Sequence, residues 1–357
     1  MNFSALRWSV AAVFWLLAIS PTTSEAGMTS DEIKKYEGHK TEAEQGDARA
    51  QASLGFCYET GRGVAKNLDK AIEWYRKSAD QGFAGSQFKL GVCYAEGLLV
   101  DKDLTKAAAW YRKAADQGHV EAHYNLACCY ANGEGVPKDQ AQAVSLWRKV
   151  AEEAPALIVG VFSRPAWPGH PESQFCLGEC YRNGEGVPKD MVNAAAWYLK
   201  SAKQGYNPAR VNMGYCYYNG QGVVKDYVEA VSWWRKAAEE GLVDAQYSLG
   251  SVYRAGEGVE KDLATAAKWL RMAAAQGHAD SITSLGVFHE LGVGLPVNKI
   301  EAYAHYNLAG ITSEFAQKKL AAIEKKMTGE EIAAAQRRTR ELQQEIDSVI
   351  AGKKAGK

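Results

Sequence analysis

The chain has 357 residues and balances 42 Lys and Arg against 42 Asp and Glu, so it carries no formal net charge at pH 7. Without an overall basic field, the protein has no general attraction for nucleic acid or an anionic membrane. We therefore expect no nucleic-acid partner. The length alone would fit two or three ordinary domains, but an internal periodicity overrides that expectation.

The N-terminus has the pattern of an export signal. An apolar run follows Arg7, and the small residues Ser24 and Ala26 fit a signal-peptidase site after Ala26. The run is short for a transmembrane span. We expect residues 1–26 to be a cleaved signal peptide, with an uncleaved anchor as the alternative. The mature protein would then have no membrane span and would be periplasmic or secreted.

Residues 27–46 are predicted to form one N-terminal capping helix. Thr29 and Glu32 have the spacing of a capping box, in which each side chain bonds the other residue's main chain. A repeat protein needs such a polar element at its end, because the terminal repeat would otherwise expose its apolar face.

A glycine then returns at a fixed interval, which is 36 residues at the first step (97 minus 61). Only one interval is longer, at 51 residues (184 minus 133). A period in this range indicates stacked supersecondary units and not one globular core. The seven glycines are Gly61, Gly97, Gly133, Gly184, Gly220, Gly256 and Gly292.

Each repeat is predicted to contain two helices joined by a glycine loop. In the second repeat, Leu90 and Cys93 share one face of the first helix, and Gly91 indicates close approach of a partner helix. The loop glycine permits the positive φ that ends this helix. The second helix starts at an Asp or Asn cap and carries Ala107 and Trp110, and we expect this Trp to fill the gap between repeats. The seven cap residues are Asn67, Asp103, Asp139, Asp190, Asp226, Asp262 and Asn298.

These residues resemble the Sel-like repeat family, a subfamily of the tetratricopeptide-like repeats. The motif Ala-x-x-x-Leu-Gly-x-x-Tyr-x-x-Gly-x-Gly-Val, then Asp and Ala-x-x-Trp-Tyr-x-x-Ala-Ala-x-x-Gly, matches Ala245 to Gly277 with few departures. Among the departures, His305 and Leu146 replace the Trp, and His289 replaces the Tyr. The resemblance implies an all-α, right-handed superhelical solenoid of antiparallel helix pairs that serves as an adaptor or assembly scaffold. Exported, cysteine-rich bacterial members are also similar, and some are linked to penicillin binding or β-lactam hydrolysis.

The predicted repeats cover residues 47–311, followed by capping helices over 312–350 and a disordered basic tail over 351–357. The third repeat has 15 extra residues (51 minus 36), aligned to 154–168, and this apolar segment with three prolines is the best single pointer to function. The alternative is that it folds back and fills a seam. The repeat boundaries are 47–82, 83–118, 119–169, 170–205, 206–241, 242–277 and 278–311.

The seven cysteines form an odd set, so a complete intramolecular disulfide framework is excluded. Five of them share one repeat position, where later repeats have Val252 and Phe288, which indicates an apolar core site. Disulfides remain the alternative in an exported protein. The five are Cys57, Cys93, Cys129, Cys180 and Cys216.

Catalytic and metal signatures are weak. Ser86 and Lys89 have the Ser-x-x-Lys spacing of penicillin-interacting enzymes, but no partner motif is present. His119 and His123 are four residues apart without an evident third ligand. We therefore expect no catalytic residue, no metal site and no cofactor.

Three positions of the first helices, one before and two and six after the central Leu or Met, lie within one arc and vary most between repeats. By resemblance to tetratricopeptide scaffolds, first helices line a concave groove, and Asn and Tyr suit peptide recognition. An ordinary solvated face is the alternative. The predicted partner-binding residues are Lys89, Asn125, Glu179, Asn212, Tyr215 and Ser251 in the groove, and Leu157, Ile158, Phe162 and Trp167 in the insertion.

The sequence thus predicts an exported scaffold that binds a protein or peptide partner. One alternative is a weak hydrolase or binder of β-lactams or cell-wall peptides, and another is a purely structural protein.

Overall fold

The computed structural model describes residues 28–152, 169–311 and 313–355, and every regular element in them is a helix. The described part of the chain contains 17 helices and divides after Asp190 into two compact units. None of these helices is both long and apolar enough to span a membrane. The expected all-α repeat fold is confirmed.

The first unit contains the N-terminal cap, three complete helix pairs and the first helix of the fourth pair. Its helices are α1 (Ser30–Glu44), α2 (Ala48–Thr60), α3 (Leu68–Asp80), α4 (Ala84–Glu96), α5 (Leu104–Asp116), α6 (Val120–Asn132), α7 (Gln140–Glu152) and α8 (Pro171–Asn183).

The second unit contains the second helix of the fourth pair, three further pairs and two C-terminal helices. Its helices are α9 (Met191–Lys203), α10 (Asn207–Asn219), α11 (Tyr227–Glu239), α12 (Val243–Ala255), α13 (Leu263–Ala274), α14 (Ala279–Leu291), α15 (Lys299–Ala309), α16 (Glu314–Glu324) and α17 (Gly329–Ala355).

Glycine governs the turn between the helices of each pair. The seven periodic glycines are C-caps with φ between 69° and 81°, the left-handed region in which other residues are strained. A second loop glycine, such as Gly135, also has positive φ and lies against main chain, where an added Cβ would be 2.0 Å from Leu104 O. In the one loop without this glycine, Leu99 takes the same conformation at φ 65°.

In six of the seven pairs, the core forms around a glycine in the middle of the first helix, and the third pair has Ala127 at this position. A Cβ on Gly91 would lie 2.5 Å from the ring of Tyr111, so the missing side chain makes room for that ring. Tyr111 is 2% exposed, whereas Trp110 is half-buried, with Lys113 Nζ 3.9 Å from its ring centroid. We expect the Trp to fill the gap between repeats, and Trp110 packs against the apolar cluster that joins the first repeat to the second. The fully buried place within its own repeat belongs to Tyr111. Ala107 and Tyr111 are four residues apart and share a helix face, and Trp110 points about 100° away.

Polar groups close the helix ends. The predicted capping box of Thr29 and Glu32 is confirmed, with both bonds present. The caps of the second helices are confirmed at six positions, where the side chain accepts a bond from a main-chain N–H two or three residues on. These six are Asn67, Asp103, Asp139, Asp226, Asp262 and Asn298.

A buried glutamine joins one repeat to the next. Gln87 Nε2 donates to Ala79 O at 3.2 Å, and Gln87 Oε1 accepts from Gln117 Nε2 at 2.7 Å. The second unit repeats the device, because Gln246 donates to Ala238 O and accepts from Gln276. Each pair of bonds satisfies a helix-end carbonyl and an amide that burial would otherwise leave unpaired.

The chain ends in two helices, as predicted, but the second is longer than expected. The sequence predicts disorder from residue 351, whereas α17 runs to Ala355. Ile346 is buried, Ile350 packs against the same apolar cluster, and Lys353 Nζ contacts Gln276 Oε1. These contacts hold the last turns against the sixth repeat.

The cysteines at the shared repeat position lie in the core, which confirms the prediction made for them. Cys57, Cys93, Cys129, Cys180 and Cys216 are all buried, as are Val252 and Phe288 at the same position. Cys57, Cys93, Cys176 and Cys180 are present as thiols. Burial raises the pKa of the Cys93 thiol to about 11 and that of the Cys180 thiol to about 12.

We expect Gly135→Ala to destabilise the protein more than Gly82→Ala. Both glycines have positive φ, so each substitution costs about 1 kcal/mol of backbone strain. Only Gly135 lies against main chain, which adds roughly 1–3 kcal/mol of overpacking, because a Cβ on Gly82 would meet nothing within 4 Å. Chemical denaturation of both variants measures the difference, and equal losses would contradict the contact.

We expect Cys93 and Cys180 to resist modification in the folded protein. At pH 8, a thiol with a pKa of about 11 has roughly one thousandth of its population as the reactive thiolate, and burial adds a steric block. Timed alkylation with peptide mass spectrometry should show at least about 100-fold slower modification than in denaturant. Equal rates in the two states would contradict this burial.

Candidate functional site

The predicted groove residues of the first unit are buried and engaged with their neighbours. Lys89 is 3% exposed, and its Nζ lies 2.7 Å from Glu59 Oε1. Asn125 is buried on α6, and Glu179 is buried on α8 with one carboxylate oxygen 2.5 Å from Arg182 Nη2. These side chains hold the unit together and present little surface.

Glu59 is the centre of a small polar cluster that closes the first repeat. It accepts a bond from the Tyr75 hydroxyl at 2.7 Å as well as from Lys89. Burial, and after it the neighbouring Glu59 carboxylate, raises the pKa of Tyr75, so the hydroxyl stays protonated and donates. The Lys89 ammonium on α4 is therefore paired with a carboxylate of the preceding repeat, and this ion pair joins the two repeats.

The second unit contains the same cluster at its C-terminal end. Glu290 accepts from the Tyr306 hydroxyl at 2.7 Å and from Lys319 Nζ at 2.9 Å. Burial opposes ionisation of Glu290, but these two hydrogen bonds outweigh it and lower the pKa of the carboxyl. Because Lys319 lies on α16, this capping helix makes the contact that the next repeat makes elsewhere.

The predicted groove residues of the second unit are more open. Asn212 and Ser251 are half-buried, and Tyr215 is 37% exposed. The Tyr215 ring packs edge-on against Trp234, with centroids 5.3 Å apart, and its hydroxyl accepts from Ser248 Oγ at 3.3 Å. The structure therefore brings Tyr215 and its neighbours together on α10 and α12 in an ordered arrangement.

The predicted insertion residues Leu157, Ile158, Phe162 and Trp167 lie outside the described residues. Their proposed contact with a partner stays a prediction from sequence.

The Ser-x-x-Lys spacing does not build a nucleophilic site. Ser86 is fully buried, and its hydroxyl donates to Ser78 Oγ at 2.7 Å, while the Lys89 ammonium is paired with Glu59. A serine nucleophile needs an adjacent base and access to substrate. Neither condition is met at Ser86.

His119 and His123 have local roles. His119 is the N-cap of α6, where its Nδ1 faces the N–H of Ala122 at 3.4 Å, and its ring stacks on Phe88 at 4.6 Å. His170 and His278 cap their helices in the same way. This capping role was not predicted, although each of these histidines directly follows the glycine that ends a repeat.

A different group of ligand-type side chains meets in the seventh repeat. His289 on α14 and Glu301 and His305 on α15 each place one donor atom within 4.8 Å of the other two. Within the described ranges, this is the one such group of three. The signal was visible in the sequence as two departures from the repeat motif, but only the packing of α14 on α15 shows that they meet.

The chain matches the Sel1 repeat family in seven segments. Each match begins one residue after the repeat start that the periodicity predicts. The segments are residues 48–83, 84–119, 120–154, 171–206, 207–242, 243–278 and 279–310. No curated protein matches the chain.

Solved structures of repeat proteins are similar to this chain. A Sel1 repeat protein from Oxalobacter formigenes is 31% identical over 87% of this chain and 85% of that one, with a TM-score of 0.65. A protective antigen of uropathogenic Escherichia coli with an SLR fold is 23% identical over 90% and 97%, with a TM-score of 0.43. An immunity protein from Pseudomonas aeruginosa is 21% identical over 64% and 81%, with a TM-score of 0.38.

We expect Lys89→Met to lower the free energy of unfolding by roughly 2 kcal/mol. The substitution leaves the Glu59 carboxylate without its ammonium partner, and breaking a fully buried pair costs about 3–5 kcal/mol. Glu59 keeps some solvent contact, which reduces the loss. Chemical denaturation measures the change, and adding Glu59→Gln should recover most of it.

Lys106→Met is the matched control, because Lys106 pairs with Asp103 on the surface. Removing an exposed pair should cost less than about 1 kcal/mol. Equal losses from the two lysine variants would show that the Lys89 pair contributes no more than a surface contact.

Proposed function

Because the chain belongs to the Sel1 repeat family, whose members are generally protein-interaction scaffolds, we propose that it is an exported scaffold that binds a protein or peptide. The binding surface is the first-helix face of the second unit, which the resemblance to tetratricopeptide scaffolds predicts to be concave. Asn212, Tyr215 and Ser251 lie on this face.

The observation that favours this face is the exposure of a fixed aromatic ring. Tyr215 is one of the few large aromatic residues exposed in the described chain. Its ring rests on Trp234, whose Nε1 donates to Val211 O at 3.2 Å. A partner would therefore lose little side-chain entropy on contacting Tyr215, and rigid aromatic anchors are typical of binding hot spots.

Polar groups around Tyr215 suit an extended peptide. Asn212 lies one turn before it on α10, and Asn219 is exposed one turn after it. Amide side chains offer both a donor and an acceptor, so they can pair with the main chain of a bound segment. Ser251 on α12 adds a hydroxyl on the neighbouring helix.

The first unit is less suited to this role. Lys89, Asn125 and Glu179 occupy the matching positions there, and all three are buried. Breaking the Lys89 pair to bind a ligand would leave a charged group without its partner, which opposes binding.

We also propose that the protein is exported and that the insertion contributes to partner binding. Export is supported by the apolar run after Arg7 and the small residues before Gly27. The apolar segment 154–168 would provide a second contact for the partner. A cleaved signal is tested by fractionation and by mass spectrometry of the mature N-terminus.

The proposal does not include catalysis. Sel1 repeat proteins are typically scaffolds without enzymatic activity, and Ser86 is buried away from substrate. No contact in the described chain favours the β-lactam hydrolase alternative.

Site-specific photocrosslinking in the native cell tests the binding surface. A photoreactive phenylalanine at position 215 should yield a discrete protein adduct, because this position would lie in the interface. The same residue at position 228 is the control, since Val228 is exposed on α11, outside the proposed face. The same adducts from both positions, or none from 215, would contradict the proposal.

Two variants then separate the surfaces. We expect Tyr215→Ser to lose the partner at least about 10-fold in affinity without a large change in melting temperature, as for a hot-spot residue. A deletion of residues 154–168 that retains the partner would restrict binding to the helical face. A deletion that loses it would place a necessary contact on the insertion.

A further inference from the structure

The seventh repeat departs from the others at two neighbouring positions. His289 occupies the position of the repeat tyrosine, and His305 occupies that of the repeat tryptophan. The structure packs the two rings with centroids 5.6 Å apart and an interplanar angle of 32°. Glu301 lies one turn before His305 on α15, so its carboxylate joins the pair.

Earlier repeats show what this location holds elsewhere. In the first two repeats, a lysine one residue before the conserved alanine places its ammonium over the repeat tyrosine. Lys70 Nζ is 5.3 Å from the centroid of Tyr58, and Lys106 Nζ is 5.5 Å from that of Tyr94. In the seventh repeat, Glu301 replaces the lysine and His289 replaces the tyrosine. Where the first two repeats place a lysine ammonium, the seventh repeat therefore places side chains that can bind a cation.

Both histidines are buried, which disfavours the charged imidazolium form. His289 is 8% exposed and His305 is 7% exposed. Burial lowers the pKa of each imidazole, and it outweighs the opposing effect of Glu301. Neutral imidazole retains the lone pair that a metal ligand needs.

The hydrogen bonds leave donor atoms available. His305 Nδ1 donates to Glu301 O at 2.8 Å, so its Nε2 keeps a lone pair. His289 Nδ1 is buried and has no hydrogen-bond partner within the described chain. A buried nitrogen without a partner is costly, and a bound cation would remove that cost.

The carboxylate is oriented by α17. Arg338 Nε lies 2.8 Å from Glu301 Oε1, and Arg338 also contacts Glu341 and Glu345. Glu301 Oε2 lies on the side of His305, 3.8 Å from its Nδ1. Arg271 is a further cation near His289. Glu341 and Glu345 pair with Arg338 on its exposed side, and Glu301 is the carboxylate that faces the two histidines.

We propose that His289, Glu301 and His305 form a binding site for a divalent transition metal, with Zn²⁺ as the best match. Two imidazoles and one carboxylate are ligands that zinc accepts, whereas Ca²⁺ and Mg²⁺ prefer oxygen donors. Zinc bonds of about 2.0–2.2 Å require donors roughly 3.5 Å apart, so donors within 4.8 Å need a shift of about 1 Å. Water or a partner's side chain would complete the coordination.

A bound metal would hold α14 and α15 together directly. It would also connect them to α17 through Arg338, which is a positioning residue. A metal that binds the folded state alone stabilises it in proportion to the logarithm of its concentration. This inference does not depend on the proposed interaction function.

Zinc titration of the purified full-length protein, stripped with a chelator, tests the site. We expect saturable binding of one equivalent by calorimetry and a higher melting temperature with Zn²⁺. Cobalt should give the absorption of a nitrogen and oxygen site. Absence of saturable binding, or thiolate charge-transfer bands that place the metal on cysteines, would overturn the proposal.

Two variants remove ligands while restoring the repeat motif. His289→Tyr and His305→Trp introduce the aromatic residues that other repeats carry at these positions, so the fold should be preserved. We expect each to weaken zinc binding at least about 10-fold and to lower the zinc-dependent stabilisation accordingly. Glu301→Gln, which keeps the side-chain size, should have the same effect without a change of ring.

His278→Asn is the matched control in the same repeat. His278 caps α14, and Asn retains the capping oxygen, so zinc binding should remain at the wild-type level. Equal affinity of the wild type and the three ligand variants would show that the metal binds elsewhere.

Discussion

The close approach of the two helices in each repeat is the interaction on which the rest of the fold depends. Four repeats achieve it with a missing side chain on the first helix and a large ring on the second, whereas Gly250 faces Leu270 and Ala127 occupies the glycine position of the third repeat. Gly91 faces Tyr111, Gly214 faces Trp234, and a Cβ on either glycine would overlap the ring. The glycine costs about 1 kcal/mol of helix propensity, and burial of the ring offsets this cost because aromatic burial contributes more.

This packing decides which surfaces remain for a partner. When one repeat meets the next, buried glutamines and the Tyr75–Glu59–Lys89 cluster close the boundary with polar contacts. Lys89, a predicted groove position of the first unit, is engaged in these contacts and is therefore not available to a ligand. In the second unit, Tyr215 lies on the corresponding face, and part of its ring stays in solvent.

The half-buried edge of the repeat tolerates chemical change that the core does not. Trp110 and Tyr94 lie at this edge, where one side of each ring meets solvent or a lysine chain. Replacement by histidine at both positions of the seventh repeat leaves the core ring, Tyr306, in place. The repeat can therefore carry the His289, Glu301 and His305 cluster without losing the contacts that define it.

The sequence by itself determined the repeat period, the helix pairs, the glycine turns and the buried cysteines. Each of these is a local requirement, because positive φ at Gly133 or a cap at Asp103 depends on residues within a few positions. The tertiary structure decided that Tyr111 and not Trp110 enters the core, that Lys89 is a buried ion pair, and that α17 continues past residue 350. It also decided that His289 meets His305. Side-chain burial and pairing depend on contacts between helices 16 to 77 residues apart, and a helical wheel describes only one helix at a time.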